Sequence, residues 1–202
     1  MSDSKNNYFV AAAVVAANLD QATKISQKLS LTASNARVVM LRAGPSAAGF
    51  RPLTDAIHRL ADVTVSSSKK INVIAATLNA TSVEMFRAAR AVKYFKAVYQ
   101  SVEGGSTYLH SLDGIFERIK TEYEALLTLH RTQVKRLFDE LDRLDGELRA
   151  AIVLKTLCLT EASQAEGQYK QSFVSVSENV EGTVNDIKKL IKDSQQQVAL
   201  LN

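Results

Sequence analysis

Three histidines and one cysteine are the side chains of this chain best suited to nucleophilic, acid–base or metal chemistry. His58, His110 and His130 lie far apart, and none pairs with another at the i, i+4 spacing that sets two imidazoles on one helix face for a metal. His130 falls on an apolar stripe, where a histidine is expected to be a satisfied layer residue. Cys158 sits between Leu157 and Leu159 with no basic neighbour closer than Lys155, the setting of a small buried apolar residue instead of an activated thiolate. A lone cysteine also excludes an intramolecular disulfide and a cysteine-based metal site. The run Gly44-Pro45-Ser46-Ala47-Ala48-Gly49 is flanked by glycines, but it lacks the Gly-Lys-Ser/Thr ending of a phosphate-binding loop and follows a helix instead of a strand. Asp139, Glu140, Asp142, Asp145 and Glu147 alternate with Leu141, Leu144 and Leu148, and Arg136, Arg143 and Arg149 stand among them at helical spacing; the pattern predicts a salt-laced exposed face. No catalytic residues, no cofactor and no metal site are expected, and the chain is not expected to be an enzyme.

The elements that carry these residues are legible in the apolar spacing. From Leu53 the positions four and three apart run Leu53, Ile57, Leu60, Thr64, Ser67, Ile71, Ile74, Leu78, Thr81, Met85, Ala88, Val92, Phe95 and Tyr99, an unbroken heptad register that predicts a supercoiled helix. At 1.5 Å per residue such a helix is roughly 70 Å long. A preceding stripe, Ala11, Val15, Asn18, Ala22, Ile25, Leu29, Thr32, Ala36, Val39 and Ala43, supplies its partner. Gly44 is expected to end that first helix as a left-handed cap, Pro45 forbids its continuation, and Pro52 suits the first turn of the next. Gly104-Gly105 marks a second break. A third stripe runs from Leu109 through Leu112, Phe116, Ile119, Tyr123, Leu126, His130, Gln133, Leu137, Leu141, Leu144 and Leu148 to Ala151. After a lapse near 160–167 a fourth runs through Tyr169, Phe173, Val176, Val180, Thr183, Ile187, Leu190, Ser194 and Leu201.

Four stripes imply an all-α protein: an elongated antiparallel four-helix coiled-coil bundle made of two long helical hairpins of similar length. The 202 residues form one bundle, with hairpin one over 7–101 and its tip at 44–52, and hairpin two over 106–202 with a break near 160–167. A dimer in which hairpins from two chains pair is the alternative. Composition agrees, with 46% hydrophobic residues, two prolines and no tryptophan.

Charge and hydropathy exclude several classes. The net charge of +4 conceals a basic half, with 13 Lys and Arg against 5 Asp and Glu over 1–101, and an acidic half, with 12 against 16 over 102–202. Such halves attract each other within a molecule or between copies. The basic residues of the first half lack aromatic interleaving or a recognisable module, so nucleic acid is not an expected partner. The apolar run Tyr8–Ala17 is far shorter than the roughly 20 residues that span a bilayer. Flanked by Asp3, Asn18 and Asp20 with one lysine before it, it is also a poor export signal. A soluble, cytoplasmic protein without a stable membrane span is expected.

One stretch carries a more specific signal. Asn35-Ala36, Arg42-Ala43-Gly44, Gly49-Phe50, Leu53, Asp55, Ile57, Arg59-Leu60-Ala61 and Lys69 to Ile71 keep order and spacing without a gap over about residues 25–71. This resembles the hairpin tip of the cytoplasmic signalling domain of bacterial methyl-accepting chemotaxis receptors. The resemblance implies a site at the tip, where such receptors touch their histidine kinase and coupling protein: Asn35, Arg42, Gly44, Gly49, Phe50 and His58, with Phe50 as apolar anchor and Arg42 as polar contact. The chain departs from the family where glutamates are usual, with Val39, Pro45 and Ala56 in their place, and has Ala47 for the turn glycine and His58 for an arginine. Losing those polar groups together implies loss of direct kinase control. The paired Glu/Gln methylation sites of the family are also missing; Ala162-Ser163 before Glu166-Gly167 offers one acid only.

The expected role is therefore a non-catalytic accessory or decoy module of a chemosensory system, with protein partners such as chemoreceptors or the coupling protein, and with self-association also open. Two other readings compete: a coiled-coil scaffold that binds an unrelated partner through its flanks, and a membrane-active bundle that exposes Tyr8–Ala17 on opening.

Overall fold

Gly44 sets the first boundary. In the computed structural model, which describes residues 2–101, 110–164 and 168–199, helix α1 (Ser2–Ala43) ends where Gly44 takes φ +66°, a left-handed conformation that costs a residue with a Cβ on the order of 1–2 kcal/mol. Pro45, with no N–H to donate, opens a single 3₁₀ turn over Gly44–Ala47, and the chain tightens through Ala48 N–H to Pro45 O (3.2 Å) and Arg51 N–H to Ala48 O (3.2 Å). Helix α2 (Phe50–Ser101) begins at once. The tip is thus shorter than the expected 44–52: Phe50, Arg51 and Pro52 are already helical, because the first four N–H groups of a helix need no intrahelical partner and proline at the third position forfeits nothing.

Helix α3 (His110–Gln164) and helix α4 (Gln168–Ala199) complete the described chain, in which no strand occurs. The expected break at Gly104-Gly105 lies outside the described residues. Of the break expected near 160–167, residues 165–167 lie outside the described residues, and residues 160–164 are helical. The helix runs through Thr160 to Gln164, since Cys158 and Ala162 are both buried and hold its apolar stripe in register. The first helix likewise starts at Ser2, ahead of the expected residue 7. Helix α3 has 55 residues and helix α4 has 32.

On α2 the stripe holds as spaced. Every position from Leu53 to Val92 is buried, and Phe95 and Tyr99 are half-buried. A second column seven residues apart, Thr54, Ala61, Ser68, Ala75 and Ser82, is buried beside it. On α1 the burial is centred one position further along than expected: Leu19, Ser26, Ala33 and Met40 are buried, while Asn18, Ile25, Thr32 and Val39 are half-buried. The reason is shared. Each helix packs against two others, α1 on α2 and α4, α3 on α2 and α4, so its apolar band is about three columns wide where a two-helix seam needs two. Polar residues in this band are kept at low cost by donating back along their own helix, as Ser26 Oγ does to Ala22 O (2.8 Å), Thr64 Oγ1 to Leu60 O (2.9 Å) and Ser82 Oγ to Leu78 O (2.8 Å).

Contacts between helices run in opposite numerical sense. Asn18 of α1 donates to Leu190 O and Ser194 Oγ of α4, whereas Arg42 near the other end of α1 meets Tyr169. Between α2 and α3, Lys70 pairs with Glu140 and Arg143 donates to Ser67 Oγ (3.2 Å), while Phe95 and Phe116 stack at 5.7 Å. The core thins away from the tip. No residue of α3 from His110 to Leu129 is fully buried; Tyr99 and Phe116 (5.4 Å) and a Tyr99 Oη hydrogen bond to Asp113 (2.6 Å) tie this stretch to α2.

Candidate functional site

The short turn brings Arg42, Gly44, Gly49 and Phe50 together at the junction of α1 and α2, with Asn35 two turns below on α1. Asn35, Arg42, Gly44 and Gly49 are exposed. Phe50 is not. It is 1% exposed, and its ring stacks on Phe173 of α4 with centroids 3.5 Å apart and planes 11° from parallel. As the structure stands it seals the tip and offers a partner no surface, contrary to its expected part as an apolar anchor. Burying a phenylalanine is worth roughly 1.5–3 kcal/mol, which suits a closing residue.

His58 is half-buried, with Nδ1 3.3 Å from Ser30 Oγ and Nε2 3.5 Å from Ser34 Oγ, so its ring bridges α2 to α1. The two hydroxyls can accept from either ring nitrogen or donate to it, according to the tautomer. The histidine therefore lies on the α1–α2 seam, apart from the apex that Arg42 and Gly49 form.

Three groups at the tip are missed in the sequence. The carboxylate of Glu161, from α3, fills the space that a Cβ at Gly49 would occupy. Tyr169 Oη, from α4, donates to Arg42 O (3.3 Å), a carbonyl of the last turn of α1. Phe173 covers Phe50. Tyr169 and Phe173 are visible in the sequence only as members of the fourth stripe; their meeting with the turn follows from how α4 lies against α1 and the start of α2, for which the spacing holds no signal. Also missed is an outward apolar row on α1 beside the tip: Leu31 is 65%, Val38 48% and Leu41 71% exposed. Its signal was available, since these residues fall off the heptad stripe where polar residues are usual. Ile152, Val153 and Leu157 form a comparable exposed group on α3.

Elsewhere the chemistry-bearing side chains are placed as structural groups. Cys158 is fully buried, and desolvation pushes its thiol up to about 11. His130 is buried and desolvation holds its imidazole below the ordinary histidine value. The acidic run is not wholly a solvated face. Asp145 is buried, 2.5 Å from Arg149 Nη2, and Glu140 is half-buried with its carboxyl held down by Lys70 and then Arg143. Asp145, Arg149, Lys188, Lys192 and Gln195 line an open groove of about 420 Å³ between α3 and α4. Among the described residues no three His, Cys, Asp or Glu stand together as a metal site, and no helix is long and apolar enough to cross a membrane.

No protein-family model matches the chain, and no curated protein matches it.

Proposed function

We propose that this chain is a non-catalytic interaction module, an elongated antiparallel coiled-coil bundle of two hairpins that serves in the cytoplasm as an accessory or decoy of a chemosensory system without direct control of a kinase. The reading rests on the resemblance over residues 25–71. The observation that carries it is the apex itself: a tight turn at Gly44 leaves Arg42 and Asn35 in solvent, next to the exposed row Leu31, Val38 and Leu41. Large apolar groups held in water beside a rigid turn are the usual makings of a protein-binding patch, and an arginine at its rim adds a directional contact. The opposite numerical sense of the interhelix contacts supports the antiparallel arrangement.

The test is affinity capture of the tagged protein from its native cells beside a Val38→Glu/Leu41→Glu/Arg42→Ala variant, which leaves the buried seal at Phe50 intact. Chemoreceptors, kinase or coupling protein recovered only with the unaltered tip would support the reading. A partner set unrelated to chemotaxis and indifferent to the variant would sink it, and would favour the second reading, a scaffold that binds through its flanks. For that reading the supporting observation is the exposed group Ile152, Val153 and Leu157 on α3.

A further inference from the structure

The turn of the first hairpin is held by the end of the second. Three groups from that end each meet a different weak point of the turn. The first is the N-terminus of α2, which has no acidic residue in its first turn to complement its helix dipole. The Glu161 carboxylate lies against Gly49, directly ahead of Phe50, and supplies that negative charge from α3. The second is the C-terminus of α1, whose last carbonyls have no intrahelical donor; Tyr169 Oη donates to one of them at Arg42. The third is the ring of Phe50, which Phe173 covers. Glu161 ends α3, and Tyr169 and Phe173 begin α4, so all three come from the two sides of one helix junction.

We infer that Glu161, Tyr169 and Phe173 form an intramolecular clasp that locks the tip turn and withholds the Phe50 ring, with the charge of Glu161 as the releasable element. Glycine at 49 belongs to the device: a methyl group there would occupy the seat of the Glu161 carboxylate, and the flexible glutamate would be evicted. Closed, the clasp leaves a partner only the outer row of α1 and Arg42. Opened, it adds the Phe50 ring to that surface. That last step, and only that, rests on the tip being an interaction surface.

The test reads the turn directly, through hydrogen exchange of a peptide covering residues 44–54 in the intact protein, with a peptide from the middle of α2 as reference. Glu161→Gln, which keeps size and removes charge, and Glu161→Ala are each expected to speed exchange of the tip peptide about 2- to 5-fold, the usual range for a charge at a helix N-terminus. Gly49→Ala is expected to do the same, and the Gly49→Ala/Glu161→Ala double variant to be no faster than the faster single one, since both remove one contact. Unchanged exchange in Glu161→Gln, or effects of Gly49→Ala and Glu161→Ala that multiply, would overturn the clasp. Phe173→Leu, milder than truncation to alanine, is expected to speed the same peptide while the reference stays slow; equal acceleration of both would show general loosening and count against it. If these results hold while capture shows no tip-dependent partner, the clasp stands and the proposed function falls.

Discussion

Phe50 and His130 show how far the part a residue plays depends on the neighbours that enclose it. Each stands in a helical pattern and each is enclosed, Phe50 under Phe173 and His130 at 4% exposure within the α3 stripe. For His130 the enclosure has a pH consequence with a definite sign. Burial lowers its folded-state value from the ordinary 6.5, so the folded protein binds fewer protons than the unfolded chain as pH falls. The stabilisation by neutral His130 is present above the unfolded value and is lost as pH drops through that value toward the depressed one. Glu140 acts in a separate, more acidic window, because Lys70 first and Arg143 second hold its carboxyl below the ordinary glutamate value of 4.5. The expected outcome is that the melting temperature falls between pH 7.5 and pH 5.5, and that His130→Leu removes most of that fall while leaving the loss at lower pH. An unaltered profile in the variant would show that other groups govern the upper window.

Helix α3 is one continuous element with two energetic halves. Leu144 is fully buried, whereas Leu129, fifteen residues earlier, falls off the apolar stripe beside buried His130 and is 46% exposed. Leu144→Ala should therefore cost about 2–5 kcal/mol, by lost burial and a residual cavity, while Leu129→Ala stays within about 0.5 kcal/mol. Urea denaturation midpoints would distinguish the two, and similar losses would mean that the Leu129 face is covered in solution. At this scale the sequence was a good guide to α2, whose heptad positions are buried from Leu53 to Val92. It was a poorer guide to α1, because a spacing rule built for a two-helix seam selects Ile25 and Thr32 where a helix with two neighbours buries Ser26 and Ala33. At the tip the spacing located the turn through Gly44 and Pro45, which act locally. It did not locate Glu161, Tyr169 and Phe173, which reach the turn only once α3 and α4 have packed beside it.

Across the whole molecule, the asymmetry between a basic and an acidic half turns out to matter less than the apolar seams it accompanies. Lys70 with Glu140 joins the two halves, yet Lys155 with Glu181 and Arg149 with Asp145 pair within the acidic half. The seams close within one chain instead. Each of α1, α2, α3 and α4 packs on two others, and Leu29, Ile71, Leu144 and Ile187, one from each helix, are all fully buried without help from a second copy. The expected outcome is a sedimentation-equilibrium mass near 22.1 kDa at micromolar concentration, with a urea transition midpoint that does not move with protein concentration. An obligate dimer, or a midpoint that rises with concentration, would show that the half-buried aromatic end at Phe95, Tyr99 and Phe116 recruits a second chain and that self-association completes the bundle.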